Sequence, residues 1–188
     1  MSDNMSNANT GDGAGQADGM DEQIRTKLLP HIQNAYALEN QVAEALERHR
    51  DEAAGIPEMQ AKIQEHFEVT KQHRERIVQR LQAYGETPSV IKDLGSSLMG
   101  NMMGAMAGMR PDTMSRMARD EYVSEHLEIA AYTLLITTAQ ALGDMETVRI
   151  AEQNLQDEIE MQQWLLSHMP QVCLYDLQQE GYTVMGNA

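Results

Sequence analysis

Apolar residues recur every three to four positions along four stretches of this chain, and each stretch is interrupted near its middle by residues that ionise or hydrogen-bond. The first stretch predicts a helix over residues 21–50, with Leu28, Ile32, Ala35, Val42 and Leu46 on one stripe and Glu39 completing the series. The second predicts a helix over 58–84 through Met59, Ile63, Phe67, Ile77, Leu81 and Tyr84. Continuing its step between Ile63 and Ile77 gives His66, Thr70 and His73. The third, over 113–142, reads Met114, Met117, Glu121, Glu125, Glu128, Tyr132, Leu135, Ala139 and Leu142. The fourth, over 144–168, carries Val148, Ala151, Leu155, Leu165 and Met169, with Glu158 and Gln162 in the middle of the face.

Punctuation between the stretches sets the topology. Gly55 and Pro57 separate the first two helices closely, and Gly143-Asp144 separates the last two more closely still. Gly85 and Pro88 stop the second helix, and Asp112 or Thr113 caps the third. Residues 86–112 between them form a long crossover containing LMGNMMGAMAGM, Leu98 to Met109. Two antiparallel helical hairpins joined by one long connection make an all-α, ferritin-like four-helix bundle over 21–169. Residues 1–20, rich in Asn, Gly, Ser and Asp, read as a disordered leader. Residues 170–188 read as a C-terminal tail, with Val172, Leu174 and Leu177 able to pack.

Hydrophobic residues make up 41% of the chain, enough for a core, and aromatics only 4%, with no β-type alternation to compete with helix. The net charge of -15 repels phosphate backbones and anionic lipid surfaces, which argues against nucleic acid and membrane partners. No stretch of about 18 apolar residues and no secretory signal are visible, and the lone Cys173 forms no intrachain disulfide, so a cytoplasmic protein is expected. There is no G-x-S-x-G, no G-x-x-x-x-G-K and no strand–glycine loop–helix context for acyl-transfer or nucleotide chemistry.

The interrupted stripes therefore carry the chemistry. Burying an unpaired charge costs several kcal/mol or more, so carboxylates and imidazoles on four core-facing stripes need partners. Glu125 and Glu128 lie one turn apart on one face, and His66 and His73 two turns apart on another. With Glu39 and Glu158 they supply about the donor number that two adjacent hard cations require. Two readings stay open: a dinuclear metal site, or a proton-sharing polar network in a structural bundle. Glu121, one turn further out, reads as exposed or salt-bridged, and His126 lies off the stripe. Tyr36 and Tyr132 read as core-edge residues able to hydrogen-bond a carboxylate. The Met-rich run at 98–109 reads as an adaptable apolar surface for self-association or a protein partner, consistent with a homodimer or small homo-oligomer.

The segment EHLEIAAY, Glu125 to Tyr132, resembles the third-helix signature of the ferritin-like stress-protein family that includes YciE and YciF. YALENQ, Tyr36 to Gln41, is similar to its first-helix motif, with Glu39 at the glutamate position. His66 and Thr70 match its second-helix pattern, and Leu155 to Leu165 its fourth, with Glu158 at the glutamate. The resemblance spans about residues 22–168. It implies a rubrerythrin-like dinuclear site, usually of iron, and a link to stress responses, but no particular reaction. The residues are read as an iron or manganese site that, if active, reacts Fe(II) with O2 or peroxide. The ligands of such a site here would be Glu39, His66, Glu125, Glu128 and Glu158, with His73 supplying a further nitrogen one turn beyond the missing second-helix carboxylate, and Glu128 and Glu39 bridging or terminal. Two positions depart from the family pattern: Val69 stands where Glu usually precedes the threonine, and Gln162 where Asp usually follows the fourth-helix glutamate. These departures motivate the second reading, a metal-free or single-metal bundle working through 98–109.

Overall fold

The computed structural model describes residues 22–87, 89–91 and 113–184. The leader and crossover residues 88 and 92–112, the Met-rich run among them, lie outside the described residues. Four helices make the bundle: α1 (Leu29–Glu52), α2 (Pro57–Ala83), α3 (Met114–Ala141) and α4 (Met145–Gln179). A π-helical turn, Ile24–Leu28, leads into α1. Pro30 follows at the start of α1, where its missing N–H leaves the preceding turn free to widen.

Each boundary has a local cause. Pro57 opens α2 at a position where its lost donor is not needed. Thr113 caps α3 by accepting from the Arg116 amide, and Asp144 caps α4 by accepting from the Thr147 amide at 3.1 Å. The α3–α4 turn reverses in three residues because Gly143 adopts φ 77°, a left-handed conformation that costs glycine little. The 3-10 turn Ala53–Gly55 joins α1 to α2. Gly55 is approached closely by Tyr175 of α4, and a Cβ there would lie 1.9 Å from the Tyr175 hydroxyl oxygen.

α1 with α2 and α3 with α4 form the two hairpins, and the hairpins meet through α1 on α3 and α2 on α4. The expected ferritin-like arrangement is the one observed. Its core is split into two apolar blocks. One holds Leu28, Ile32, Ile77, Leu81, Leu135, Val148 and Ala151. The other holds Val42, Leu46, Met59, Ile63, Met117, Met161 and Leu165. The interrupted portions of all four stripes lie between these blocks and form one buried polar layer.

The fourth helix departs from the expectation in two ways. It does not stop before Pro170 but runs through it to Gln179. Interior proline costs about 3 kcal/mol, and contacts beyond it compensate. Val172 is buried, and the Asp176 carboxylate accepts from the amides of Met114 at 3.1 Å and Ser115 at 2.7 Å, capping α3 from another helix. Leu174 and Leu177 remain exposed. The inward series is also Asn154, Glu158, Met161 and Leu165, so Met161 rather than Gln162 takes the core position after Glu158, and Gln162 is half-buried. Among the described residues, no helix is long and apolar enough to cross a membrane.

Candidate metal centre

All six expected ligands, one each from α1 and α4 and two each from α2 and α3, lie in the polar layer with at most 3% exposure. Their relative placement is specific. His66 Nε2 lies 3.1 Å from Glu125 Oε1 and 3.3 Å from Glu158 Oε2. His73 Nδ1 lies 2.8 Å from Glu158 Oε1 and 3.4 Å from Glu39 Oε1. Two groups of potential ligands result, Glu39–His73–Glu158 and His66–Glu125–Glu158. Glu158 belongs to both and turns one oxygen toward each imidazole. Glu158 thus sits between the two histidines and is the residue the two groups share.

The donor atoms aim at shared space rather than at one another. Glu39 Oε2, His66 Nε2, His73 Nδ1 and both oxygens of Glu125, Glu128 and Glu158 are buried without a hydrogen bond of acceptable geometry. Native interiors tolerate few such atoms, and each leaves an uncompensated desolvation cost of about 1–3 kcal/mol. Glu128 touches neither histidine within ion-pair range, yet the charges of Glu158, Glu39 and Glu125 all act on it. It closes the layer from the α3 side.

Protonation follows from this crowding. Burial raises the Glu128 pKa well above the carboxylate range, and Glu158, Glu39 and Glu125 push it the same way. Burial likewise raises Glu39, with His73 opposing, and lifts Glu125 to about 8 against the pull of His66. Burial also disfavours charge on Glu158, but the imidazoles of His66 and His73 beside it win and hold it at about 2. The histidines mirror it: burial opposes their charge, and the carboxylates nevertheless raise His73 to about 10 and His66 well above its ordinary value. Without a cation the layer thus favours charge on Glu158 between the two imidazoles and retained protons on Glu39, Glu125 and Glu128. Carboxylate oxygens with imidazole nitrogens suit iron, manganese or zinc, and such cations would displace these protons. The residues present fit a pair of divalent cations.

An outer ring of residues surrounds this layer, and most of it was not anticipated. Tyr132 is fully buried rather than at the core's edge, and its hydroxyl donates to Glu39 Oε1. Asn154 Nδ2 donates to the Tyr132 oxygen at 2.9 Å, and Arg76 Nη1 to Asn154 Oδ1 at 2.8 Å. His73 Nε2 donates to Asp157 Oδ2 at 2.9 Å. Glu121 is buried rather than exposed, and His49 Nδ1 donates to its Oε1. His49 follows Leu46 by three and Asn154 follows Ala151 by three, so their stripes did contain them; Asp157 and Arg76 had no such signal. His126 is exposed and packs at a tilt against Tyr122, while Tyr36 lies in the first apolar block. Val69 is half-buried beside the inward Thr70, whose hydroxyl donates to the His66 carbonyl at 2.9 Å.

Comparison with known proteins supports the fold directly. The family described as "Domain of unknown function (DUF892)" matches residues 23–178. A Xanthomonas campestris pv. campestris protein of known crystal structure superposes with a TM-score of 0.72 at 27% identity, covering 87% of this chain and 99% of that one. A dodecameric thioferritin, the bacterioferritin-related protein of Bacteroides fragilis, superposes at 0.60 with 18% identity, covering 89% of this chain and 99% of that one; it shares the fold.

Proposed function

The chain belongs to the DUF892 family, a ferritin-like bundle in this member, and on that premise we propose that it holds two divalent cations, iron or manganese, in its central polar layer. The observation that carries this reading is Glu158, buried between two imidazoles with one oxygen toward each and neither satisfied by a hydrogen bond. Glu39 and His73 would serve one cation with Glu158, His66 and Glu125 the other, and Glu128 would close the pair. Bound iron would supply redox chemistry toward O2 or peroxide, in keeping with a stress-associated role. The protein's own part is to exclude water with two apolar blocks, to hold the ligands on rigid helices, and to give up protons from Glu39, Glu125, Glu128, His66 and His73 as cations arrive.

Val69 and Gln162 do not weaken this reading. Both are half-buried, and the inward positions beside them are taken by Thr70 and Met161. His73, fully buried, reaches Glu39 and Glu158 from one turn beyond the missing carboxylate. Self-association belongs to the same proposal: Val123 and Leu134 on α3 are 43% and 56% exposed, and a homodimer or small homo-oligomer would cover them.

The test is elemental analysis of chain purified without a chelating tag, followed by anaerobic Fe(II) addition. Uptake of about two metals per chain, as carboxylate-bridged bundles hold, and its loss in Glu158→Ala are expected. No uptake by the parent chain, or unchanged uptake in the variant, would leave the proton-sharing structural bundle as the better account.

A further inference from the structure

Resting on that two-cation reading, we propose that the centre loads in order, and that Asp157 is the positioning residue that makes the Glu39–His73–Glu158 half the tighter. A histidine that offers one ring nitrogen to a metal is oriented by what the other nitrogen donates to. His73 donates through Nε2 to Asp157 Oδ2 at 2.9 Å, which aims Nδ1 at Glu158 Oε1 and Glu39 Oε1. Glu39 is fixed as well, through Tyr132, Asn154 and Arg76 in series. This half is therefore held from outside along two hydrogen-bonded lines.

The other half lacks that support. Among the described residues, the carboxylates within ion-pair range of His66 are Glu125 and Glu158, themselves part of the ligand group. Both Glu125 oxygens are buried without a hydrogen bond. Ligands already held in place lose less freedom when a cation arrives. The shared Glu158 carries the consequence across: once the first cation has fixed this side chain, its second oxygen is set for the second.

Asp157 is 36% exposed, so replacing it does not hollow the core. The test uses the full chain, stripped of metal and titrated anaerobically with Co(II), followed by d–d absorbance and calorimetry. Two resolved steps are expected. Asp157→Asn should weaken the first by about tenfold to a hundredfold, the usual effect of losing such an outer partner, and leave the second within the spread of replicates. Asp157→Glu should restore part of the loss, and His66→Ala should delete the second step while keeping the first. Glu160→Gln, on an exposed position of the same helix, should change neither. Two steps of equal affinity, an unchanged first step in Asp157→Asn, or loss of the first step in His66→Ala would overturn the assignment while leaving the two-cation centre standing. A parent chain that binds no Co(II) would overturn both.

Discussion

Replacing Glu128 with methionine should make the metal-free protein more stable and the metal-loaded protein less so. Glu128 is 1% exposed, and neither of its oxygens has a hydrogen-bond partner among the described residues. Burial and four nearby carboxyl groups favour its protonated form, so the group that occupies the core is a neutral carboxyl without compensation. An unsatisfied buried group of this kind costs about 1–3 kcal/mol. Methionine reaches as far, bends to fit and carries no strong polar atom. Removing the carboxyl should therefore stabilise the metal-free chain by about 1–3 kcal/mol. One kcal/mol moves Tm by roughly 2–4 °C in a chain of this size, so a rise of roughly 2–12 °C is expected.

On the two-cation proposal, metal works against this gain. A cation at a hundred times its Kd would add about 2.7 kcal/mol to the folded state, and the variant, lacking a proposed ligand, should gain less. Scanning calorimetry of both proteins, first in chelator and then in saturating Mn(II), reads both effects. A variant that melts at or below the parent in chelator would refute the reasoning, because Glu128 would then be structurally satisfied. Equal gains from metal would remove Glu128 from the ligand set.

Two further predictions concern groups outside the layer. Asp144 accepts from the Thr147 amide, from the hydroxyls of Thr147 and Tyr84, and from Arg80 at 2.9–3.0 Å. Asp144→Ala should cost about 2–4 kcal/mol, combining a lost cap with charge-assisted bonds, measured by urea unfolding at neutral pH. Burial works against its charge, but Thr147, Tyr84 and Arg80 prevail and lower its pKa. The contribution is thus complete above the unfolded value of about 3.9 and lost as pH falls through the folded value. A gap between parent and variant that persisted unchanged into acid would contradict this. His49 shows the opposite sign: burial disfavours its charge, yet the Glu121 carboxylate raises its pKa. Its contribution should be full below the unfolded value of about 6.5 and fade as pH rises through the folded one. His49→Ala should cost about 2–3 kcal/mol near pH 6, because Glu121 is left buried and alone. Adding Glu121→Leu should recover most of that loss, and simple additivity of the two changes would argue against the pairing.

The reach of the sequence into this site has a physical boundary. Glu39, His66, His73, Glu125, Glu128 and Glu158 were legible because apolar periodicity fixes which side of each helix is dry, and a dry ionisable group needs a reason. Periodicity fixes that direction only to within a residue's rotation. From Glu158 a step of three reaches Met161 and a step of four reaches Gln162, roughly equidistant from the stripe by helical geometry. The facing helices decide, and they put Met161 in the core. The same limit hid α4 beyond Pro170. Nothing local outweighs a proline, whereas buried Val172 and the Asp176 caps on α3 do so from across the fold. Asp157 is the sharpest case. It is partly solvent-exposed, sits in an acidic run beside Glu158, and meets a histidine 84 residues away. By pattern alone it is a solvated aspartate; only the placement of α2 on α4 makes it the partner that sets His73. Ligands that must be buried leave a trace in hydrophobic periodicity, and the residues that orient them from the surface leave none. The proposed order of loading would depend on those outer residues, so only tertiary structure could suggest it.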